Sequence, residues 1–216
     1  MARRLIVDPG RPEASLLDQA ARAIAAGGLI AYPTDTLYGL GADALNERAL
    51  GKLFALKGRR AGEPIPLIIG SREQLRTLTS SPTRLARRLM DRFWPGPLTL
   101  VLEPRGSLSP LITGGGGVGV RLPRSPIAQG LALRAGTPLT ATSANRSGEP
   151  PLLEAASIEE AFGAELALIL DGGPLGKEGP PPLPSTVVDA RGEEPVLLRE
   201  GAVAFSEIEE ALRKKG

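Results

Sequence analysis

The 216-residue sequence contains no cysteine and no histidine. The first absence excludes disulfides, a thiol nucleophile and thiolate metal sites, and the second removes the most common general base and metal ligand. No apolar run is long enough to span a bilayer, and the run near the amino terminus is too short for a signal peptide. We therefore expect a cytoplasmic protein without membrane contact, whose chemistry rests on lysine, arginine, carboxylates, hydroxyls and backbone groups.

Aromatic residues are also scarce, at 3% of the chain. Their scarcity argues against an RNA-binding module that stacks bases on aromatic rings. The net charge is only +2, from 26 basic and 24 acidic residues, and all but five of the basic residues are arginine. Because the planar guanidinium group suits carboxylates and phosphates, this bias suits the binding of such anions.

Helical and strand patterns alternate along the chain. The predicted helices cover 13–26, 46–58, 71–78, 82–94, 126–136, 153–163 and 206–215, and the predicted strands cover 29–32, 64–69, 98–103, 118–122, 138–144, 167–170, 186–190 and 195–200. This order predicts one layered α/β domain over residues 1–216. Its sheet of about seven strands should be mixed (α+β type), because the last two strands are joined too briefly for a crossover helix.

Two glycine-containing segments are candidate sites. In YPTDTLYGLGADA (32–44), Pro33 and the glycines predict no regular helix or strand, so the segment is either a turn or the floor of a site. GGGGVG (114–119) matches the dinucleotide fingerprint, but a strand follows it where a helix is required, so we reject a Rossmann site. It remains either a flexible loop or a turn that presents backbone N–H groups to an anion.

Cationic residues follow the second predicted helix, which Asn46 and Gly58 are expected to cap. Lys57, Arg59 and Arg60 stand in the stretch LKGRR, at the carboxyl end of that helix. Cations are favoured there by the helix dipole, so capping is the simpler interpretation. The alternative is a clamp for phosphate groups.

Arg121 stands within or at the end of the apolar strand VGVRL. A charge at a core position costs several kcal/mol unless it is paired, so we expect Arg121 to face a carboxylate or a bound anion. Hydroxyl-rich segments also flank strands at 140–148 and 183–189. Ligands of open α/β sheets bind at the carboxyl ends of strands, although an ordinary turn explains the first segment equally well.

The motifs YPTDTLYGLGADA, LKGRR, PLII, WPGPLTLVL, GVRLP, TSANRSG, STVVD and LLREG follow one another in this order. Through them the chain resembles the YrdC family of L-threonylcarbamoyladenylate synthases, from about residue 12 to residue 215. Longer relatives carry a second domain after a linker, and this chain is similar to the short, single-domain form. The resemblance implies a twisted, largely open mixed sheet with helices on both faces and a concave, positively charged surface.

Members of this family combine L-threonine, bicarbonate and ATP into threonylcarbamoyl-AMP and release pyrophosphate. The resemblance thus implies a nucleotidyltransferase that performs the first step of threonylcarbamoyladenosine modification of tRNA. It also implies Mg²⁺ that arrives with ATP, without a dedicated protein site, and a transferase complex that passes the group to tRNA. Direct contact of this chain with tRNA is left open. The reaction needs no covalent protein intermediate, which agrees with a chain that lacks histidine and cysteine.

The motifs also imply roles for individual residues. By resemblance, Lys57 and Arg59 clamp the ATP phosphates and stabilise the transition state. The implied threonine-binding residues are Thr36, Arg121, Ser143 and Ser185, and the implied further ATP-binding residues are Gly117, Ala141, Asn145 and Arg199.

Three positions depart from the family pattern. Gly70 stands where many relatives have histidine, Gly117 where threonine is common, and Pro151 where serine is common. These replacements remove polar contacts, so we expect them to affect affinity rather than the reaction. We expect Asp35 to stabilise its turn rather than to act as an outer-shell partner of Mg²⁺. The stretch GKEGPPPLPS (176–185) is expected to be a stiff surface loop, and the alternative is that its proline-rich part, 179–184, is a lid.

Two other functions are alternatives to this enzyme. A module that binds structured RNA without catalysis would fit a basic concave face, although a net charge of +2 supports it weakly. The carbamoyl-transfer module of hydrogenase maturation proteins shares the fold, but those proteins are much longer and carry cysteine-rich zinc fingers. The cysteine-free composition argues against that module.

Overall fold

Strands and helices alternate along the part of the chain that the computed structural model describes, residues 2–60, 62–79, 81–106, 108–176 and 181–213. The strands there are β1 (Arg3–Ile6), β2 (Leu29–Pro33), β3 (Tyr38–Gly41), β4 (Leu67–Ile68), β5 (Leu98–Leu102), β6 (Val118–Arg121), β7 (Leu139–Thr140), β8 (Thr142–Ser143), β9 (Leu166–Asp171), β10 (Thr186–Asp189) and β11 (Val196–Arg199). The helices there are α1 (Ala14–Ala25), α2 (Glu47–Lys57), α3 (Arg84–Phe93), α4 (Pro110–Thr113), α5 (Pro126–Ala135), α6 (Ala155–Phe162) and α7 (Phe205–Arg213), with a 3₁₀ helix at Arg72–Thr77. Every predicted element has a counterpart, whereas β1, β3 and α4 were not predicted.

The strands form two mixed sheets. One has five strands in the order β1-β9-β2-β3-β8, and the other has six in the order β11-β10-β5-β6-β4-β7. Parallel pairs such as β1 with β9 occur beside antiparallel pairs such as β10 with β11. The mixed character is confirmed. The expectation of a single sheet of about seven strands is wrong in number. The predicted strand 138–144 is two short strands of different sheets, and β1 and β3 were not predicted.

Helices cover both faces of the five-stranded sheet, as expected. The alternating side chains of β2 show why: Ile30 and Tyr32 pack in one apolar cluster with α1 and α5, whereas Leu29 and Ala31 pack in another with α2 and α6. Successive residues of a strand point to opposite faces, so a strand that is apolar at every position is buried from both sides.

The six-stranded sheet is different, because its two faces differ in chemistry. Leu98 and Leu100 of β5 and Val120 of β6 pack with α3 and α7. The intervening positions Thr99 and Arg121 point to the opposite face. This polar face is the one that turns toward the other sheet and forms a cavity there.

Both ends of α2 have the predicted caps. The Asn46 side chain accepts hydrogen bonds from the backbone N–H groups of Arg48 and Ala49, and Gly58 has the left-handed conformation with φ 61°. A left-handed residue ends a helix without a steric penalty only if it is glycine. The chain therefore turns directly after Lys57.

The segment 138–144, predicted as one strand, is two strands of different sheets. β7 pairs with β4 in the six-stranded sheet, and β8 pairs with β3 in the five-stranded sheet. Ala141 lies between them, and its N–H donates to the Pro66 carbonyl. The prediction of one strand was wrong because β7 and β8 both consist of small or apolar residues. Only the strands with which they pair distinguish them. The crossover places the hydroxyls of this segment at the junction of the sheets.

The prediction that 32–44 contains no strand was also wrong. Tyr38–Gly41 forms β3, and β2 runs through Pro33. The glycines are needed because the Tyr32 ring lies across β3: a Cβ at Gly41 would sit 2.6 Å from Tyr32 Cε1. The irregular parts are therefore the turn between Pro33 and Tyr38 and the residues after Gly41, where Asp43 forms an isolated bridge to Leu139.

Candidate functional site

A cavity of about 130 Å³ lies where the two sheets meet. It is lined by Thr34, Thr36, Leu37, Tyr38, Gly39, Arg59, Pro66, Arg121, Ala141, Thr142, Ser143, Pro184, Ser185 and Arg199. Seven of the ten predicted site residues are therefore brought together: Thr36, Arg59, Arg121, Ala141, Ser143, Ser185 and Arg199. A larger surface groove of about 1260 Å³ near the α3 and α7 ends holds none of the ten.

The turn that presents Thr36 is stabilised by Thr34, which the sequence interpretation missed. Thr34 Oγ1 donates to the Leu37 carbonyl at 2.7 Å and accepts from the N–H groups of Thr36 and Leu37 at 3.1 and 3.2 Å. It also lies 3.0 Å from Thr36 Oγ1. A hydroxyl that bonds its own backbone two or three residues on is a known turn device, so the T-x-T spacing was the available signal.

Arg121 at the end of β6 is buried, with 5% of its surface exposed. Its Nε donates to the Gly96 carbonyl at 2.9 Å, one terminal nitrogen donates to Thr36 Oγ1 at 2.8 Å, and the other donates to Asp35 Oδ1 at 2.5 Å. The expectation that Arg121 faces a carboxylate is confirmed. These bonds use three of the five guanidinium N–H groups, and the other two have no partner among the described residues.

Asp35 accordingly serves as the partner of Arg121 within its turn. No group of three or more carboxylates suitable for a metal ion occurs in the described residues. Nor does any helix in those residues have the length and apolarity needed to cross a membrane.

Two further arginines reach the cavity. Arg59 donates to the carbonyls of Glu63 and Pro64 at 2.9 and 2.8 Å, and Arg199 donates to the Ser185 carbonyl at 2.7 Å. Burial lowers the pKa of both, and the positive charges of Arg121 and Arg59 lower the pKa of Arg199 further. The three positive charges repel one another, and an anion bound in the cavity would reduce this repulsion.

Lys57 does not line the cavity but lies behind its wall, with 2% of its surface exposed. Its Nζ donates to the carbonyls of Ser143 and Asn145 at 2.7 Å each and to Asn145 Oδ1 at 3.1 Å. Burial, and secondarily the charge of Arg59, lowers the pKa of Lys57 to about 8. Lys57 and Asn145 therefore support the wall that carries Ser143.

Ser185 is fixed by a residue that was not predicted. Its Oγ lies 2.9 Å from Thr99 Oγ1, and both residues are buried. Thr99 interrupts the apolar strand LTLVL at the position that points away from the core. That single polar residue in an apolar strand was the signal that could have identified it.

Gly117 and Gly70 lie outside the cavity lining, and close packing explains why both are glycine. A Cβ at Gly117 would collide with the Val101 side chain, and one at Gly70 would lie 2.6 Å from the Gln129 carbonyl of α5. Neither position has room for a longer side chain unless its neighbours shift. Pro151 is exposed, and the loop 179–184 lies partly outside the described residues, so its role as a lid stays a prediction.

Comparison with known proteins gives consistent matches. The family model Sua5_yciO_yrdC, described as "Telomere recombination", matches residues 22–201. Proteins named threonylcarbamoyl-AMP synthase from Pyrococcus abyssi and Bacillus subtilis are 43% and 39% identical over 89% and 88% of the chain. The chain spans only 56% and 55% of those two proteins.

A solved structure shows the same fold. P. abyssi Sua5 complexed with L-threonine superimposes with a TM-score of 0.89 at 40% identity, over 97% of this chain and 60% of that one. The family match covers most of the chain and the curated relatives are well above 30% identical. The chain belongs to the Sua5/YciO/YrdC family.

Proposed function

We propose that the protein is a threonylcarbamoyl-AMP synthase. The observation that carries the proposal is the convergence of Arg59, Arg121 and Arg199 with the hydroxyls of Thr36, Ser143 and Ser185 on one small cavity. A chain without histidine or cysteine suits a reaction that needs anions to be positioned and neutralised rather than a protein nucleophile. The names of the relatives, and the threonine complex of P. abyssi Sua5, support this assignment.

In this proposal the amino acid binds at the buried arginine. The two unpaired N–H groups of Arg121 receive the threonine carboxylate, because arginine and carboxylate form parallel, charge-assisted hydrogen bonds. Thr36 is held by Arg121 itself, and Ser143 and Ser185 stand on other walls of the same cavity. These hydroxyls supply contacts for the polar groups of threonine.

ATP is proposed to bind beside it, with its phosphates at Arg59 and Arg199. Lys57 adds positive charge from behind the wall, and Gly117, Ala141 and Asn145 are proposed on the nucleotide side. Mg²⁺ would be held mainly by the phosphates and water, since the described residues offer no carboxylate cluster for it, and it would neutralise phosphate charge.

The proposed reaction has two steps. Threonine and bicarbonate give the N-carboxylate of threonine and water. A carboxylate oxygen of that carbamate then attacks the α-phosphorus of ATP, the bond to the β-phosphate breaks, and pyrophosphate leaves. Transfer of the threonylcarbamoyl group to tRNA belongs to a separate transferase complex, and any contact of this chain with tRNA is part of the same proposal.

Pyrophosphate release from ATP and Mg²⁺ tests the function, with threonine and bicarbonate omitted in turn. We expect release only when both are present. ATP cleavage that ignores threonine, or no cleavage at all, would overturn the proposal. Salt-dependent RNA binding would then have to be measured, since RNA binding without catalysis is the alternative that the near-neutral charge disfavours.

A further inference from the structure

The exposed side of α3 carries almost only arginine. Its exposed residues are Arg84, Arg87, Arg88, Asp91 and Arg92. They recur at intervals of three and four residues, which places them on one face of the helix. The one carboxylate among them, Asp91, is paired with an arginine of the preceding 3₁₀ helix at 2.6 Å. The four arginines of α3 form what we call the arginine face.

The neighbours of the arginine face leave most of its charge without a partner. No carboxylate of the described residues forms an ion pair with Arg84, Arg87 or Arg92. This holds although α7, which packs beside α3, carries three glutamates. Arg88 donates to the Leu212 carbonyl at 2.6 Å and so joins the two helices. At least three positive charges of the face are therefore directed to the solvent.

This arrangement is unfavourable for the helix by itself. Like charges three or four residues apart repel each other, and this applies to Arg84 with Arg87 and Arg88, and to Arg88 with Arg92. Arg84 is also the first residue of α3, where the helix dipole disfavours a cation, and the first turn contains no acidic residue. A polyanion bound along the face would relieve both effects.

The chemistry of the face favours a nucleic-acid backbone over a protein as that polyanion. The centres of protein–protein interfaces are apolar and poor in charged residues. Among the described residues, the large apolar side chains that are exposed lie on other elements, at Ile6, Leu45, Leu133, Leu183, Val196 and Leu198. A row of arginines without an apolar centre instead suits phosphates, which guanidinium groups bind with parallel hydrogen bonds.

The arginine face and the cavity lie on opposite sides of the six-stranded sheet. α3 packs with Leu98 and Leu100 on the apolar face of that sheet, whereas Arg121 points to the other face and lines the cavity. No residue of α3 lines the cavity. A polyanion bound at α3 would therefore leave the cavity accessible.

We propose that the arginine face of α3 is a docking surface for the phosphate backbone of structured RNA. The choice of tRNA as the probe rests on the proposed function, whose product is passed on to tRNA. The net charge of only +2 does not oppose this surface, because it sums the whole chain, whereas a docking surface depends on the local charge.

Two triple variants of equal charge test the surface. Arg84→Ala with Arg87→Ala and Arg92→Ala removes three charges from the face, and alanine keeps the helix because it has the highest helix propensity. The matched control replaces Arg11, Arg22 and Arg48 by alanine, since these arginines are also exposed but lie before and on α1 and on α2. Circular dichroism checks that both variants are folded.

Fluorescence anisotropy with a labelled, unmodified tRNA transcript, without ATP and threonine, measures binding. At about 50 mM salt, the Kd of the α3 variant should rise roughly 10- to 100-fold, and that of the control should stay within about threefold of wild type. The slope of log Kd against log salt concentration should fall by about two to three in the α3 variant, because each lost phosphate contact lowers it by about one.

Three results would overturn the proposal. Equal weakening in the two triple variants would show that only the net charge matters. A larger loss of tRNA binding in Arg59→Ala than in the α3 variant would place the RNA at the cavity. Absence of tRNA binding by wild type would leave an acidic protein surface as the occupant.

Pyrophosphate release separates this inference from the proposed function. The α3 variant should release pyrophosphate at the wild-type rate, because the arginine face does not contact the cavity. A slower rate in a folded α3 variant would contradict a surface that serves docking alone. If wild type binds tRNA through α3 but releases no pyrophosphate, the proposed function is wrong and the docking surface is confirmed.

Discussion

The cavity has two walls that each contain a buried cation, and the two cations are compensated differently. Arg121 on the six-stranded sheet faces the carboxylate of Asp35 at 2.5 Å. Lys57, behind the five-stranded sheet's wall, faces only carbonyl and amide oxygens. Burial therefore lowers the pKa of Lys57 to about 8. One wall holds a neutral ion pair, and the other holds a charge without a carboxylate partner.

The largest effect is expected from the phosphate side of this comparison. Arg59→Ala should reduce pyrophosphate release by roughly 10²- to 10³-fold, the cost of removing one preorganised group that stabilises transition-state charge. The fold should survive, because Arg59 bonds only within its own loop, to the carbonyls of Glu63 and Pro64 and to the Glu63 carboxylate. Steady-state kinetics and circular dichroism measure both.

Arg60→Ala is the matched control for this substitution. Arg60 is the next residue, its side chain is 89% exposed, and it pairs with the same Glu63. Its activity should stay within about twofold of wild type, because exposed ion pairs contribute little. Equal activity of the two variants would remove Arg59 from the phosphate site.

Arg121→Ala tests the paired wall. Loss of a buried, hydrogen-bonded charge partner costs about 2–5 kcal/mol, so the threonine Kd should rise by roughly 30-fold or more. ATP binding should weaken much less. Calorimetry with each ligand separately gives the two values, and equal losses would contradict the assignment of Arg121 to the carboxylate.

The double variant Arg121→Ala with Asp35→Ala sharpens the same point. Removing Arg121 alone leaves a half-buried carboxylate without its partner, whereas removing both does not. The double variant should therefore be more stable to urea than Arg121→Ala alone. A double variant that is the less stable of the two would show that the Asp35 carboxylate without Arg121 is not destabilising.

The uncompensated wall should be visible in the pH dependence of stability. The folded-state pKa of Lys57 is about 8 and its ordinary value is 10.5. Between these values the unfolded chain binds more protons, so this residue makes the free energy of unfolding increase as the pH rises from 8 to 10.5. Lys57→Met should lose this increase relative to wild type, and Lys52→Met should keep it. Urea unfolding at several pH values measures the slopes.

The smallest effect is expected for a substitution in β3, the strand that pairs with β8 in the cavity wall. Gly41→Ala forces a Cβ against the Tyr32 ring and should destabilise the fold by about 1–3 kcal/mol, as overpacking does. Gly51→Ala is the control, since a Cβ there meets nothing within 4 Å in α2, and it should stabilise slightly. Thermal unfolding measures both, and a Gly41→Ala variant as stable as wild type would show that β3 can shift.

Much of the architecture could be predicted from periodicity and caps. Asn46 and Gly58 marked the ends of α2, and the apolar spacing located α1, α3 and α5. The division into two sheets could not be predicted, because β7 and β8 differ only in which strand each one pairs with. Strand pairing is a long-range property that a local pattern does not contain.

The sequence by itself determined the chemistry that is available: no thiol, no imidazole, many arginines, and the ordered motifs that identify the family. It also indicated that Arg121 needed a charged partner, since a strand position is costly for an unpaired cation. Only the tertiary structure decided that the partner is Asp35, that Lys57 spends its hydrogen bonds on Ser143 and Asn145, and that Thr99 holds Ser185. These contacts join residues 86 to 88 positions apart, and only the folded chain brings such residues together.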